Sequence, residues 1–365
     1  MSRLLVSIIC PCHNVSNYLE QSLRSILDCT YRPLEVILFN DCSVDNTKEI
    51  LLSWIQLNNN NNSLTIIYSE NNDPSLSSCA FARNSAIIQS SGELIAHLDA
   101  DDYMDPFRIE KQVELYISIE NKDCIIGCNF NRIPDDSTPY YTNWLNSLND
   151  LDLLKQQFRE CSIIAPTWMY PKAVYKKIAL LRQNKNSSSS IFTLPRAFAE
   201  TYPGMTTIPE DLIFFLDHLE SGGSIYKVNG VPLLTYRYTI NSTSSQISNV
   251  DLQRVRIKYL QRMLLSQDKW KEFTIWGAGK DGKKFLGMLQ EECAEQVVAF
   301  CDVDEKKIGR MYYCQRNKRH IPIIHYLNAK SPIIICVASK RTSGELEKNI
   351  SKLQIIEGVD YFHFM

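Results

Sequence analysis

The sequence predicts an α/β protein with a doubly wound, mostly parallel sheet and a second, smaller α/β domain. Apolar runs of strand length alternate with amphipathic helical segments over about the first hundred residues. A second alternation, interrupted by a glycine-rich turn, begins at residue 273. The 365 residues, 44% of them apolar, suffice for two or three domains. We expect a first domain over 1–250, a linker helix over 251–271 and a second domain over 272–365.

The first domain begins with four apolar runs that each end at polar residues. Such runs are typical of strands that are covered on both faces in a parallel sheet. The predicted strands are Leu4–Cys10, Leu34–Phe39, Leu64–Tyr68 and Leu94–Leu98. The helices predicted between them are Tyr18–Leu27, Ile50–Leu57 and Ser77–Gln89. Because ligands of open α/β sheets bind at the carboxyl ends of the strands, we expect the side chains at these ends to form a site.

The turn after the fourth strand carries three carboxylates within four residues, those of Asp99, Asp101 and Asp102. Residues two apart lie on the same side of an extended chain, so Asp99 and Asp101 can converge on one divalent cation or one sugar hydroxyl. A solvated acidic turn is the alternative, because the pattern is short and common. Asn14 and Asp41 follow the first and second strands and belong to the same predicted edge.

Two segments further along the chain are additional candidates for the site. Glu210 and Asp211 precede a predicted amphipathic helix over Leu212–Leu219. Helix capping is the alternative, because acidic residues in a first turn stabilise the helix dipole by about 0.3–1 kcal/mol. Trp168 is interpreted as a core residue, with contact to an acceptor as the alternative. A flexible loop is predicted at Ser187–Ser190.

The second domain begins with a strand, a glycine-rich turn, a helix, a strand and an acidic residue. Phe273–Trp276 leads into Gly277–Gly282, which has the spacing GxGxxG, and Val297–Cys301 ends at Asp302. A dinucleotide-binding turn requires this context. Only about 90 residues remain, too few for both halves of a Rossmann fold, so we predict a half-Rossmann-like domain. The glycines then serve the tight turn and helix packing, and nucleotide binding stays open as the alternative.

Charge and cysteine content argue against several functional classes. The net charge of −2 argues against a surface that binds nucleic acid uniformly. From Lys271 onward there are 15 Lys and Arg and 12 Asp and Glu, or +3, which leaves −5 for the rest and makes the C-terminal part the candidate contact for a polyanion. Twelve cysteines without CxxC spacing support neither a zinc site nor a disulfide framework.

The first apolar run is too short for a signal peptide or a membrane span, so we expect a cytoplasmic or nuclear protein that does not bind membranes.

Five motifs of the first domain occur in an order that resembles the family 2 glycosyltransferases. The motifs are Val6–Pro11 with Asn14, Asn40–Ser43, Ala82–Asn84, Leu98–Asp102 and Glu210-Asp211. The resemblance spans about residues 4 to 240 and implies the GT-A fold, which binds a nucleotide-sugar donor. It further implies a donor pocket that includes Pro11, Asn14 and Asp41, with Asp41 at the uracil of a UDP-sugar.

The resemblance also assigns roles to the acidic residues. Asp99 meets the ribose, Asp101 binds Mn²⁺ or Mg²⁺, and the Glu210-Asp211 pair supplies the base. These residue types suit an inverting transfer, because a cation on Asp101 stabilises the departing diphosphate and Asp211 takes the proton of the attacking hydroxyl. Arg83 adds hydrogen bonds to the diphosphate or orients Asp99.

Three segments of the second domain resemble, more narrowly, animal members of the family that modify tRNA. The segments are Phe273–Lys280, Val298–Glu305 and Glu357–Phe364. This resemblance implies transfer of galactose from UDP-galactose to queuosine in the anticodon loop of tyrosine tRNA. A basic module that contacts tRNA phosphates fits such an acceptor. The candidate contacts are Lys280, Lys283, Lys284, Arg316, Lys318 and Arg319.

Two other functions stay open. One is a UDP-sugar-dependent transferase, for N-acetylglucosamine as an example, that acts on a glycan or protein. The other is a scaffold that senses nucleotide sugars without catalysis, which the intact Asp41, Asp101 and Asp211 disfavour. Many relatives have a histidine soon after a late Tyr-Arg strand, whereas Thr239 and Ile240 follow here, so the roles of Arg237 and Tyr238 stay open.

Overall fold

The computed structural model describes residues 3–60, 63–185, 196–239, 246–338 and 341–365. The loop predicted at Ser187–Ser190 lies outside these ranges. The chain divides into two compact units. Unit 1 comprises Met1–Leu153 and Ser162–Ile247, and unit 2 comprises Leu154–Cys161 and Ser248–Met365. Residues 251–271, for which a linker helix is predicted, and the short segment 154–161 both fall within unit 2.

Unit 1 contains a seven-stranded sheet in the order β3-β2-β1-β4-β8-β6-β9. Its strands are β1 (Val6–Cys12), β2 (Leu34–Asp41), β3 (Leu64–Asn71), β4 (Leu94–His97), β6 (Cys124–Cys128), β8 (Met169–Pro171) and β9 (Ser224–Val228). Four of the six neighbouring pairs are parallel, and β8 runs antiparallel to β4 and β6. Nearly every residue of β1 and β2 is buried, as expected for strands covered on both faces. The predicted α/β class and mostly parallel sheet are confirmed.

A second, three-stranded sheet in unit 1 has the order β5-β10-β7. Its strands are β5 (Tyr103–Met104), β7 (Phe130–Ile133) and β10 (Leu234–Arg237). The helices of unit 1 are α1 (Leu19–Leu27), α2 (Thr47–Asn58), α3 (Cys79–Gln89), α4 (Arg108–Ser118), α5 (Pro139–Ser147), α6 (Asp150–Leu153), α7 (Lys172–Lys185) and α8 (Glu210–Glu220), with a 3-10 turn at Ala165–Thr167. The structure starts α8 two residues earlier than the sequence predicts, so Glu210 and Asp211 form its first turn.

Unit 2 contains a six-stranded sheet in the order β13-β14-β12-β11-β15-β16. Its strands are β11 (Phe273–Trp276), β12 (Val297–Asp302), β13 (Met311–Cys314), β14 (Arg319–His325), β15 (Ile333–Ile335) and β16 (Tyr361–His363). Its helices are α9 (Asn249–Leu260), α10 (Lys280–Met288), α11 (Glu291–Glu295) and α12 (Glu345–Ser351), with 3-10 turns at Leu154–Gln156, Asp268–Trp270 and Tyr326–Asn328 and a π turn at Gln261–Leu265. Among all helices within the described ranges, none combines the length and apolar character needed to cross a bilayer.

The glycine-rich turn of unit 2 has a steric explanation. Gly277 has a φ of 114°, and a Cβ on Gly282 would lie 1.9 Å from the Gly277 carbonyl oxygen. The Asp302 carboxylate, which a dinucleotide site would aim at a ribose, instead accepts a hydrogen bond from the Ala278 amide at 2.9 Å. These contacts favour turn formation and helix packing as the role of Gly277–Gly282.

Candidate active site

The predicted strand ends lie at one edge of the large sheet. β1 pairs in parallel with β2 on one side and with β4 on the other. Asp41 is the last residue of β2, and Asn14 and Asp99 come shortly after β1 and β4, so the structure brings all three to the same edge, where open α/β sheets bind ligands. Pro11 lies within β1 itself, directly before its last residue.

Asn14 holds the loops after β1 and β2 together. Its backbone is left-handed, with a φ of 52°, a conformation that asparagine tolerates better than most residues. Its backbone amide donates to the Ser43 hydroxyl at 3.1 Å, and its side-chain oxygen accepts from the Val44 backbone amide at 2.8 Å. The predicted donor-pocket residue is therefore a fixed part of the sheet edge.

Asp41 is 3% exposed, and its carboxylate accepts three hydrogen bonds. One oxygen accepts from Asn71 Nδ2 at 2.8 Å, and the other accepts from the Ser77 hydroxyl and the Ser78 amide, each at 3.0 Å. Asp41 thus ties the start of α3 to the end of β3. The sequence did not identify Asn71 and Ser77 as site residues, although Asn71 is the polar last residue of β3 just as Asp41 is the polar last residue of β2.

Arg83 of α3 connects the acidic turn to α8. Its Nη2 donates to the Asp99 carboxylate at 2.9 Å, and its Nη1 forms an ion pair with Glu210. Although burial opposes the charged form, the Asp99 and Glu210 carboxylates raise the pKa of Arg83 well above its usual range. Of the two roles predicted for Arg83, the structure shows the contact that orients Asp99.

The two acidic residues at the start of α8 have different surroundings. The Glu210 side chain is 9% exposed, and burial raises its pKa to about 7, opposed by Arg83 and reinforced by Asp211. Asp211 is half-buried, and its Oδ1 accepts from the Leu212 amide at 2.7 Å. The Asp211 carboxylate thus accepts from one backbone amide of the first turn of α8, although no side chain caps the helix at Pro209, and the Glu210 side chain is buried.

Asp101 offers an oxygen donor that suits a hard cation. Burial and the neighbouring Asp99 carboxylate raise its pKa to about 6. Within the described ranges no cation pairs with its carboxylate, and no group of three or more His, Cys, Asp or Glu residues could hold a metal ion. A divalent cation at Asp101 would therefore take its remaining ligands from the substrate and from water.

Arg237 of β10 positions the acidic turn, which answers one question that the sequence leaves open. Its amide donates to Asp102 Oδ1 at 2.7 Å, and its Nε donates to the carbonyl oxygen of Asp101 at 3.0 Å. Its Nη2 donates to Gln21 Oε1 at 2.7 Å, and its guanidinium lies 4.5 Å from the ring centroid of Tyr18. Asp102 consequently binds β10 and is not a solvated carboxylate.

Asn84 and Trp168 make their contacts within the core of unit 1. Asn84 is fully buried and exchanges hydrogen bonds with the Phe198 backbone, donating at 3.0 Å and accepting at 3.0 Å, and also donates to Glu200 at 2.9 Å. Trp168 is fully buried, stacks on Phe214 and donates to a backbone carbonyl, as the core interpretation predicts.

Comparison with known proteins supports the sequence resemblance for the first half of the chain. Residues 7–179 match the family model described as glycosyl transferase family 2. The chain is 31% identical over 183 residues to an uncharacterised glycosyltransferase of Rickettsia typhi, covering 49% of this chain and 54% of that protein. It is 34% identical over 133 residues to the chondroitin synthase of Pasteurella multocida, covering 36% of this chain and 13% of that protein. The chain thus spans about half the length of the first relative and less of the second.

A solved structure shares the fold at low sequence identity. S. aureus TarS 1–349, solved in complex with UDP-GlcNAc, superimposes with a TM-score of 0.50 at 14% identity, covering 80% of this chain and 84% of that chain. The predicted GT-A fold is confirmed. Residues 7–179 thus match the family 2 glycosyltransferase model, and they lie within a chain that has the GT-A fold.

Proposed function

We propose that the protein is an inverting, UDP-sugar-dependent glycosyltransferase whose donor site includes the acidic turn after β4. The observation that carries this proposal is the contact of Arg83 with both Asp99 and Glu210. Through Arg83 the expected donor turn is joined to the first turn of α8, where Asp211 lies. A single buried guanidinium thereby couples the two motifs that the reaction needs.

In the proposed reaction Asp211 accepts the proton of the acceptor hydroxyl while that oxygen forms a bond to the anomeric carbon. The bond between this carbon and UDP breaks, and its electron pair leaves with the diphosphate. Attack from the face opposite UDP inverts the anomeric configuration. Glu210 is assigned a positioning role, because its carboxyl is buried against Arg83. Asp211 is half-buried and accessible from outside the core.

The donor is proposed to bind at the edge formed by the ends of β1, β2 and β4. Asp41 meets the uracil, Pro11 and Asn14 shape the pocket, and Asp99 meets the ribose. A divalent cation, Mn²⁺ or Mg²⁺, would be held by Asp101 and would neutralise charge on the departing diphosphate. The half-buried Asp101 carboxylate, with no cationic side chain paired to it in the described ranges, supports this assignment.

Replacing Asp101 by asparagine is expected to raise the Mn²⁺ concentration for half-maximal UDP binding by at least about tenfold, since a neutral amide is a poorer ligand for a hard cation. The measurement is a UDP binding titration at several Mn²⁺ concentrations. Asp28→Asn is the control, because Asp28 is an exposed carboxylate of the same unit that pairs with Arg24 at 3.7 Å. An unchanged Mn²⁺ requirement in Asp101→Asn would remove Asp101 from the metal site.

For the acceptor and the sugar we propose queuosine in the anticodon loop of tyrosine tRNA and galactose from UDP-galactose. The resemblance of three segments of unit 2 to tRNA-modifying members of the family supports this choice, as does the +3 charge from Lys271 onward.

A glycan is the second candidate acceptor, and it rests on the names of two relatives. The chondroitin synthase and hyaluronan synthase of Pasteurella multocida, each 34% identical over 133 residues, favour a glycan acceptor.

The basic residues of unit 2 differ in their availability to RNA. Arg316 donates to the Leu289 carbonyl at 2.5 Å, and Arg319 donates to the Glu295 carbonyl at 2.6 Å, so both cap the ends of helices. Lys280, Lys283 and Lys284 lie on α10, where Lys280 and Lys283 are exposed and Lys284 is half-buried. Lys318 is exposed. We therefore propose the three α10 lysines and Lys318 as phosphate contacts, and assign Arg316 and Arg319 to unit 2 stability.

Reversing the charge of Lys280, Lys283 and Lys284 to glutamate is expected to weaken tRNA binding and to lower the salt slope by about two to three, since each phosphate contact contributes about 0.7–0.9. The measurement is the tRNA dissociation constant at several salt concentrations. Lys348→Glu, an exposed lysine on α12 of the same unit, is the control. Binding with an unchanged salt slope in the triple variant would exclude this surface.

The overall proposal is tested by incubating the protein with labelled UDP-galactose, UDP-glucose or UDP-N-acetylglucosamine, with and without Mn²⁺. Total tRNA and a glycan mixture serve as separate acceptors. We expect galactose to enter tRNA only with the cation present. Label that enters only the glycan would establish the second candidate, and no transfer from any donor would contradict the assignment as a transferase.

A further inference from the structure

The small sheet of unit 1 carries an arginine surrounded by aromatic rings that has no role in the proposed reaction. The guanidinium carbon of Arg132 lies 4.7 Å from the ring centroid of Tyr236, 5.3 Å from that of Tyr141 and 5.7 Å from those of Phe130 and Tyr238. Arg132 and Tyr236 are paired directly across β7 and β10. We call these five residues the Arg132 cluster.

The elements that carry the cluster are held together by hydrogen bonds to the backbone of β7. Asn146 of α5 accepts from the Phe130 amide at 3.1 Å and donates to the Phe130 carbonyl at 2.8 Å, which fixes α5 to β7. The Tyr238 amide donates to the Ile133 carbonyl at 2.9 Å and extends the pairing of β10 with β7. A preformed cluster of this kind loses little entropy when a ligand binds.

The cluster is joined to the acidic turn by a single strand. Tyr236 and Tyr238 flank Arg237, whose amide and Nε bind Asp102 and Asp101. Successive side chains of a strand point to opposite faces, and neighbouring residues are ~3.3 Å apart along it. Tyr236 and Tyr238 therefore share the face of the chain opposite to the Arg237 side chain, one residue away from the contacts of Arg237 with the acidic turn. An acceptor that consists of several units and reaches the acidic turn has an adjoining unit within a few residues' length of the Arg132 cluster.

The chemistry of the cluster favours a ligand that has both an anionic group and a planar ring. Within the described ranges no carboxylate pairs with Arg132, and its buried Nε has no hydrogen-bond partner. A guanidinium stacked on aromatic rings still presents N–H groups at its edge, which match phosphate oxygens. Tyr238 is 37% exposed, and exposed aromatic rings stack on bases of single-stranded nucleic acids. A neutral sugar would leave the cation without a counter-charge.

We propose that the Arg132 cluster binds a nucleotide of a single-stranded RNA loop next to the one that is modified, with Arg132 on its phosphate and Tyr238 against its base. This inference rests on the proposed RNA acceptor. It adds a recognition site in unit 1 that is separate from the lysines of unit 2 and from the donor pocket.

The test measures binding of a fluorescent anticodon stem–loop RNA to the full chain at several salt concentrations. We expect Arg132→Gln to raise the dissociation constant about tenfold and to lower the salt slope by about one. Tyr238→Ala should raise it about 5- to 100-fold, the usual range for one stacked base, and Tyr238→Phe should retain binding. Arg24→Gln, an exposed arginine on α1, is the matched control. UDP affinity and thermal unfolding verify that each variant is folded.

The outcomes separate this inference from the proposed acceptor. If wild-type protein binds the RNA and the Arg132 and Tyr238 variants bind it equally well, the inference is wrong while an RNA acceptor stands. If hyaluronan displaces the RNA and Arg132→Gln loses affinity only for hyaluronan, the cluster binds an acidic glycan and the inference is again wrong. If wild-type protein does not bind the RNA, both are contradicted.

Discussion

Replacing Asp211 by asparagine is expected to lower the rate of sugar transfer by ~10²–10⁴-fold, the usual contribution of a general base. The amide has the same shape, and its oxygen can still accept the hydrogen bond from the Leu212 amide, so the start of α8 should remain intact. UDP affinity should stay at the wild-type value, because Asp211 is proposed to contact only the acceptor. The measurement is a single-turnover rate beside a UDP binding titration.

Glu114→Gln is the matched control, since Glu114 is an exposed carboxylate on α4 of the same unit. It should change neither quantity. If Asp211→Asn transfers sugar at the wild-type rate, another group is the base. If it loses UDP affinity to the same extent as transfer, Asp211 belongs to the donor pocket instead.

Replacing Arg83 by methionine is expected to reduce the free energy of unfolding by about 3–5 kcal/mol, because it leaves the buried Glu210 carboxylate and the half-buried Asp99 carboxylate without their counter-charge. Methionine fills much of the volume, so the loss reflects charge more than a cavity. This loss of stability should be larger at pH 8 than at pH 6. Burial raises the pKa of Glu210 to about 7, so its carboxyl is largely protonated at pH 6 and then needs no counter-charge, whereas at pH 8 it is ionised. Denaturant unfolding at the two pH values measures both effects.

Two variants distinguish the effect of losing this ion-pair network from the effect of losing any arginine side chain. Arg24→Met should cost less than about 1 kcal/mol, because the Arg24 side chain is 82% exposed and its pair with Asp28 is at the surface. Arg83→Met combined with Glu210→Gln should recover part of the stability lost in Arg83→Met. If the double variant is no more stable than Arg83→Met alone, an unpaired Glu210 carboxylate is not the cause of the lost stability.

The sequence was sufficient to predict the elements that place the site. β1, β2 and β4 are continuous apolar runs with polar ends, and their parallel pairing brings Asn14, Asp41 and Asp99 to one edge. The predicted start of α8 is two residues too late, because acidic residues suit both the loop before a helix and its first turn. The antiparallel strand β8 was missed because it has only three residues, too few to show a period.

The long-range contacts of the site could not be read from the sequence. Arg83 and Glu210 are 127 positions apart, and Arg237 and Asp102 are 135 apart, so no local pattern connects them. The Arg132 cluster is likewise assembled from β7, α5 and β10. Such pairs are decided by how the elements pack, which spacing within one segment does not encode.

The central proposal is that this site transfers galactose to queuosine, and nucleoside analysis of the product tests it most directly. Tyrosine tRNA with and without queuosine is incubated with UDP-galactose, Mn²⁺ and either wild-type protein or Asp211→Asn, then digested and analysed by mass spectrometry. We predict a galactosylated queuosine nucleoside only with wild-type protein and queuosine-containing tRNA. Equal incorporation into tRNA that lacks queuosine, or formation of the same nucleoside by Asp211→Asn at the wild-type rate, would contradict the claim.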